Sequence, residues 1–267
     1  MNTLKKMHFA DSYLINPTNP ITGSLIGAGG TGSRMLTELA RMNHSLISLG
    51  HTGLQVTLYD DDTITPANQG RQLFADAEVG LFKSVALINR TNRFFGTSWR
   101  AVPEQFNAHN LKSLPCHGRT NIYVSCVDTI LARFEIAQIL KDLNDSHTYQ
   151  RSKALYWLDI GNAQNTGQAV LSTIGEIKQP DSKLYNTVPS LAMITDEFQE
   201  ILKQQNDTNQ PSCSLAEALE KQDLFINSSL ASMGASLLWK LFREGMTPYR
   251  GFFFSLAHYR AEPIQAG

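Results

Sequence analysis

Four polar side chains in this 267-residue chain are of types that could act on a phosphate chain: Asn68, Arg71, Lys83 and Asp128. Arg71 can donate bidentately to phosphate oxygens and Lys83 is a compact point charge. Both can neutralise charge that moves during phosphoryl or nucleotidyl transfer. A dication bound with those phosphates needs an oxygen ligand, and Asp128, just past a predicted strand, is the expected one for magnesium. Beside them stands the stretch IGAGGTG, with Gly27, Gly29, Gly30 and Gly32 placed to let backbone N–H groups approach a phosphate. Asp60 ends another predicted strand and is expected to grip ribose hydroxyls. The loop behind it brings Asp62 and Gln72 into the same corner, with Asp62 as a loop-capping or supporting residue.

The elements that position these residues follow from the hydrophobic pattern. An apolar run at 21–26 precedes the glycines, and Leu36, Leu39, Met42 and Leu46 give the next segment a helical period. Strand, glycine loop and helix follow in the order a nucleotide cradle needs. Residues 53–58 alternate as a strand that delivers Asp60. Residues 79–92 read as a helix with Val79 and Phe82 on its buried side, and residues 121–126 read as a strand leading to Asp128. Helix 131–143 and strands 154–160 and 168–174 come next, the last two close enough to pair antiparallel. Residues 175–213 are rich in Gln, Asn, Asp, Ser and Pro, which predicts a mobile crossover with one short helix at 192–203. A helix at 224–242 carries the stripe Ile226, Leu230, Met233, Leu237 and Leu241, and a strand pair or edge strand closes the chain. The expected class is therefore α/β, a parallel N-terminal half-sheet continued by antiparallel strands with helices on both faces, in a single domain.

Composition limits the partners. Lys+Arg 23 against Asp+Glu 24 leaves no global footprint for nucleic acid or an anionic membrane. The residues Arg90, Arg93 and Arg100 read as a solvated face. No apolar run approaches a membrane span and no signal peptide is evident, so a cytoplasmic protein is expected. Three cysteines, Cys116, Cys126 and Cys213, contain no C-x-x-C pair, so neither a disulfide framework nor structural zinc is expected. Cys126 reads as packing at a strand end.

In order along the chain, Gly27-Ala-Gly-Gly-Thr-Gly32, Asp60-x-Asp62, Asn68-x-x-Arg71-Gln72, Val79-Gly80-x-x-Lys83 and Cys126-Val-Asp128 resemble the signature series of the ThiF/MoeB/HesA and ubiquitin-activating-enzyme superfamily. Within it, GRQLFADAEVGLFKSVALINR and PSCSLAEALEKQDLFINSSLASMGASLLWKLFREG most resemble the ThiF-type proteins of bacterial PRTRC gene systems. The resemblance implies a Rossmann-like ThiF/MoeB-type fold and a homodimeric adenylyltransferase that uses ATP and magnesium on the C-terminal carboxylate of a small ubiquitin-like protein. It places the glycines under the phosphates, Asp60 on the ribose, Asn68, Arg71 and Lys83 on the phosphates, and Asp128 on magnesium. Two departures stand out: no arginine precedes Arg34, where family members often carry one that reaches a partner subunit's ATP site, and the zinc-binding cysteine pairs of many members are missing. The stripe at 226–241 is then a candidate dimer surface.

Cys213, in PSCS just before a predicted helix, could take the activated carboxyl as a thioester, because a helix N-terminus favours a thiolate. It could equally be a small residue at a helix start. Two other functions use the same glycine loop: a NAD-dependent oxidoreductase, and a nucleotide-binding scaffold without catalysis. The oxidoreductase gives no reason to set Asn68, Arg71 and Lys83 beside the loop.

Overall fold

Residues 4–69, 72–112, 118–144, 152–204 and 222–267 are described by the computed structural model. The amino-terminal half runs β1 (Lys5–Phe9), α1 (Ser12–Ile15), β2 (Ile21–Ile26), α2 (Gly30–Ser48), β3 (Leu54–Tyr59), α3 (Lys83–Phe95), β4 (Arg100–Val102), α4 (Ala108–Leu111), β5 (Ile122–Ser125) and α5 (Ile130–Asn144). The rest runs β6 (Tyr156–Asn162), β7 (Thr166–Thr173), β8 (Tyr185–Thr187), α6 (Ile194–Glu197), α7 (Gln199–Gln204), α8 (Ile226–Glu244), β9 (Met246–Thr247), β10 (Tyr249–Ser255) and β11 (Arg260–Gln265).

Eight strands form the main sheet in the order β11-β10-β7-β6-β5-β2-β3-β4. The block from β4 to β6 is parallel, and β6, β7, β10 and β11 continue it antiparallel. The period of two sorts side chains between faces. On β6, Tyr156, Leu158 and Ile160 join the core under α2, α3 and α8, while Trp157 joins the core under α4 to α7. Strand order reverses about β2, with β3 on one side and β5 on the other, so the carboxyl ends of β2 and β5 are the switch point at which open α/β sheets bind ligands. The expected α/β architecture with helices on both faces is the one observed.

Several expectations differ from the structure. Residues 79–82 are not helical: Ile64 N–H donates to Leu81 O, Gly80 N–H donates to Ile64 O, and Thr63 bridges Phe82 antiparallel. That clasp uses the backbone groups a helix would need, so α3 begins at Lys83, and Val79 and Phe82 are exposed. The helix expected at 192–203 is two short ones, α6 and α7. The stripe on α8 mostly faces inward, with Ile226, Leu230 and Leu241 fully buried in the chain's own core and Met233 and Leu237 half-buried, so most of it is not available as an outer contact surface. A small sheet, β8-β1-β9, was not foreseen. Its β8 lies in the polar segment expected to be mobile, where Leu191, Met193 and Ile194 are also buried. His8 ties this sheet to β6: its Nδ1 bonds Val188 O at 2.7 Å and its Nε2 meets the Tyr156 hydroxyl at 3.0 Å.

Candidate functional site at the carboxyl ends of the parallel strands

The glycine loop is locked by backbone before any ligand is considered. Gly27 has φ +94°, a left-handed conformation that side chains disfavour, and a Cβ there would lie 2.7 Å from Cys126 O. A Cβ on Gly32 would lie 1.9 Å from Gly27 O, so the first turn of α2 sits directly on the loop. Gly29 is different: a Cβ on it would meet nothing within 4 Å. It is also the N-cap of α2 and offers no side chain to the helix. The first amides of a 19-residue helix are thus left to donate outward, with the helix dipole behind them. That arrangement fits a phosphate group.

Asp60, half-buried immediately after β3, braces this loop. Its Oδ2 accepts from Ala28 N–H at 2.6 Å and its Oδ1 from Asp62 N–H at 3.1 Å. Burial raises its carboxyl from 3.8 to about 6, against the opposing pull of the Ala28 N–H and the Lys83 charge. Each oxygen keeps a lone pair, so a ribose hydroxyl can still donate to it. Asp62 is tied to Lys83 twice: its carbonyl accepts from Lys83 N–H at 2.9 Å and its Oδ2 from Lys83 Nζ at 2.6 Å. Ser84 Oγ donates to Asp60 O at 2.8 Å, which fixes the start of α3 against the same loop.

Asn68 is half-committed. Its Oδ1 accepts from Thr65 N–H at 2.8 Å and Thr65 Oγ at 3.1 Å, capping a short turn, which leaves its NH2 as the group that can donate. Gln72 is buried and its Oε1 has no hydrogen-bond partner. Asp128 is exposed just past β5, two residues from the Cys126 carbonyl that abuts Gly27. One exposed carboxylate suits magnesium, which takes most of its ligands from phosphate and water. Among the described residues no three His, Cys, Asp or Glu side chains gather to hold a metal unaided. Arg71, Cys116 and Cys213 lie outside the described residues. Cys126 is half-buried, and burial together with the Asp159 charge pushes its thiol up, the opposite of a reactive cysteine.

Hydrophobic periodicity hid two groups. Arg133, on α5, bonds both carboxylate oxygens of Asp159 at 2.9 Å and reaches Val127 O at 3.2 Å. Ser125 Oγ donates to Asp159 at 2.7 Å and accepts from Trp157 Nε1 at 2.8 Å. This network fastens the carboxyl end of β5 to the middle of β6 beneath the loop that carries Asp128. A charge inside the apolar run YWLDIG was its one available signal. The other group centres on Asn227, at the start of α8.

Comparison with curated proteins finds no match. Among solved structures, PaaA superposes with a TM-score of 0.59 at 15% identity, covering 92% of this chain and 64% of PaaA. E. coli MccB superposes with a TM-score of 0.61 at 14% identity, covering 95% of this chain and 63% of MccB. E. coli MccB with ATP superposes with a TM-score of 0.57 at 15% identity, covering 95% and 65%. The chain therefore spans just under two thirds of the length of these neighbours, and at such identities the likeness is one of fold. Sequence family is decided separately: the ThiF family model matches residues 22–262, nearly the whole chain, and the protein belongs to the ThiF family.

Proposed function

We propose that this chain is an ATP-dependent adenylyltransferase that activates the C-terminal carboxylate of a small ubiquitin-like protein. The observation that carries the reading is the uncapped amino end of α2, with its open Gly29, beside a loop braced by Asp60, whose neighbour Asp62 holds Lys83. Membership of the ThiF family and a fold shared with E. coli MccB, a protein solved with ATP, support it. The motif likeness to PRTRC-system proteins supports placing the chain among them, as a single adenylation domain with its crossover at about 175–213.

In this reading the substrate carboxylate oxygen attacks the α-phosphorus of ATP. A C(O)–O–P bond forms, the bond from the α-phosphorus to the bridging oxygen breaks, and pyrophosphate leaves. The amides at the start of α2 hold phosphate oxygens, while Lys83 and Arg71 balance the charge that builds on the leaving group. Asn68 donates its NH2 to the same phosphates, and Asp60 orients the ribose. Asp128 would hold magnesium, which would supply further charge neutralisation at the phosphates. Cys213 takes the acyl group as a thioester, releasing AMP.

The test is exchange of labelled pyrophosphate into ATP with magnesium and candidate small proteins ending in glycine, followed by intact mass. Exchange that needs the small protein, and its appearance on Cys213, are expected. Lack of exchange with that protein supplied, or a reduced nicotinamide cofactor that binds and is not displaced by ATP, overturns the reading.

A further inference from the structure

Asn227 is the second residue of α8 and is 1% exposed. Its Oδ1 accepts from Thr31 Oγ at 2.8 Å and from Asn162 Nδ2 at 3.3 Å. Its Nδ2 donates to Gln222 Oε1 at 2.8 Å. Both lone pairs of the carbonyl are used and one amide N–H has an acceptor, so three partners converge on this one side chain. The three partners come from three places: Thr31 from the first turn of α2, Asn162 from the end of β6, and Gln222 from the lead-in to α8. Asn227 also lies against Gly30, where an added Cβ would sit 2.6 Å from Nδ2. Gly30 is therefore required by a neighbouring helix, whereas Gly29 beside it faces open space.

The amino end of α8 is itself anchored. Asp223 N–H donates to Gln164 O at 2.7 Å in the turn between β6 and β7, and Leu230 packs so closely that a Cβ on Gly167 would lie 2.4 Å from its Cδ1. Asn227 thus connects a fixed hairpin in the antiparallel half to the phosphate-facing turn of α2 in the parallel half. A buried side-chain hydrogen-bond network rigidifies what it joins.

We propose that Asn227 is a positioning residue for the phosphate chain: it acts through Thr31 and Gly30 to hold the amides of α2's first turn in the geometry that receives phosphate, and contacts no substrate itself. This rests on the nucleotide reading above. A preorganised donor array loses affinity when its support is removed, even though every donor remains. The loss should fall on the phosphates and spare the nucleoside, whose contacts lie on the Asp60 side.

The experiment compares equilibrium binding of ATP and of adenosine to the full chain and to Asn227→Ala, Thr31→Val and Thr31→Ser, with thermal unfolding of each. Removal of one buried hydrogen-bonded support predicts a loss of about tenfold in ATP affinity for Asn227→Ala and for Thr31→Val. Adenosine affinity should stay within about twofold, on the additivity expected of separate sites. Thr31→Ser keeps the hydroxyl and should restore ATP binding, and the double variant Asn227→Ala/Thr31→Val should lose little more than either single one. Thr31→Val replaces a hydroxyl by a methyl of similar size, so it keeps the test open if Asn227→Ala does not fold. Equal losses for ATP and adenosine, or ATP binding unchanged in both variants, overturn the inference alone. No ATP binding by the unsubstituted chain overturns the nucleotide reading and the inference with it.

Discussion

Two ion pairs stand at the same carboxyl edge of the sheet and are built for different tasks. Arg133 and Asp159 have side chains 5% and 1% exposed, and Ser125 and Val127 make further hydrogen bonds to them. In the other pair Lys83 is 8% exposed while Asp62 is 66% exposed. The first pair cannot rearrange without leaving a charge in a dry interior. The second has one ion in water, so Asp62 can release Lys83 to an incoming anion at little desolvation cost. A ligand site needs both kinds: a pair that stays fixed beneath the strand ends and a pair whose cation can change partner.

The largest expected effect comes from breaking the closed pair. Arg133→Ala leaves Asp159 buried and uncompensated and should cost about 3–5 kcal/mol, seen as a lower denaturant midpoint. Asp62→Ala in the same assay should cost less, because Asp62 itself is exposed and the buried Lys83 ammonium keeps the Asp60 carboxylate near it. Similar losses from both would erase the distinction. Next is Lys83→Ala, which should reduce pyrophosphate exchange about 10²–10³-fold, the scale of one lost charge-stabilising donor, with a smaller effect on ATP binding. If exchange survives intact, Lys83 serves only Asp62.

Gly29→Ala sharpens the point from the loop side. The added methyl meets no protein atom, so unfolding should be unchanged while ATP affinity falls about tenfold, the cost of a poorly seated phosphate. Loss of stability with affinity intact would show that the open side of the loop is not the ligand's side. A pH-dependent effect belongs to Asp60. Its carboxyl is raised to about 6 from 3.8, so the folded state binds a proton in that window that the unfolded state has released. Its contribution then makes the protein less stable as pH rises from about 4 to 6, because the folded state holds more protons. Asn at this position still accepts from Ala28 N–H, and Asp60→Asn should flatten that part of the stability profile. A profile unchanged from the unsubstituted protein would place the titration elsewhere.

The parallel core was legible because each of its elements announces itself locally. The run at 21–26, the glycines and the helical period behind them need no distant residue to be recognised, and Asp60 and Asp128 follow their strands by one and three residues. The start of α3 was misread because Val79 and Phe82 fit a helical period, yet their backbone is claimed by residues 63 and 64 across the clasp. The small sheet was missed for a related reason. Strands of five, three and two residues carry too little pattern to register until β1 lies between β8 and β9.

What the chain's own order of residues determined is the menu: which groups can meet a phosphate, which strand delivers each one, and that the sheet turns from parallel to antiparallel. Tertiary structure decided how each group is used. It committed the carbonyl of Asn68 to a turn, coupled Lys83 to Asp62, sealed Arg133 onto Asp159 and made Gly30 answer to Asn227 almost two hundred residues away. The physical reason is reach. Propensity and periodicity act within one element, whereas burial, desolvation and hydrogen-bond satisfaction are settled only when separate elements have closed around the same atoms.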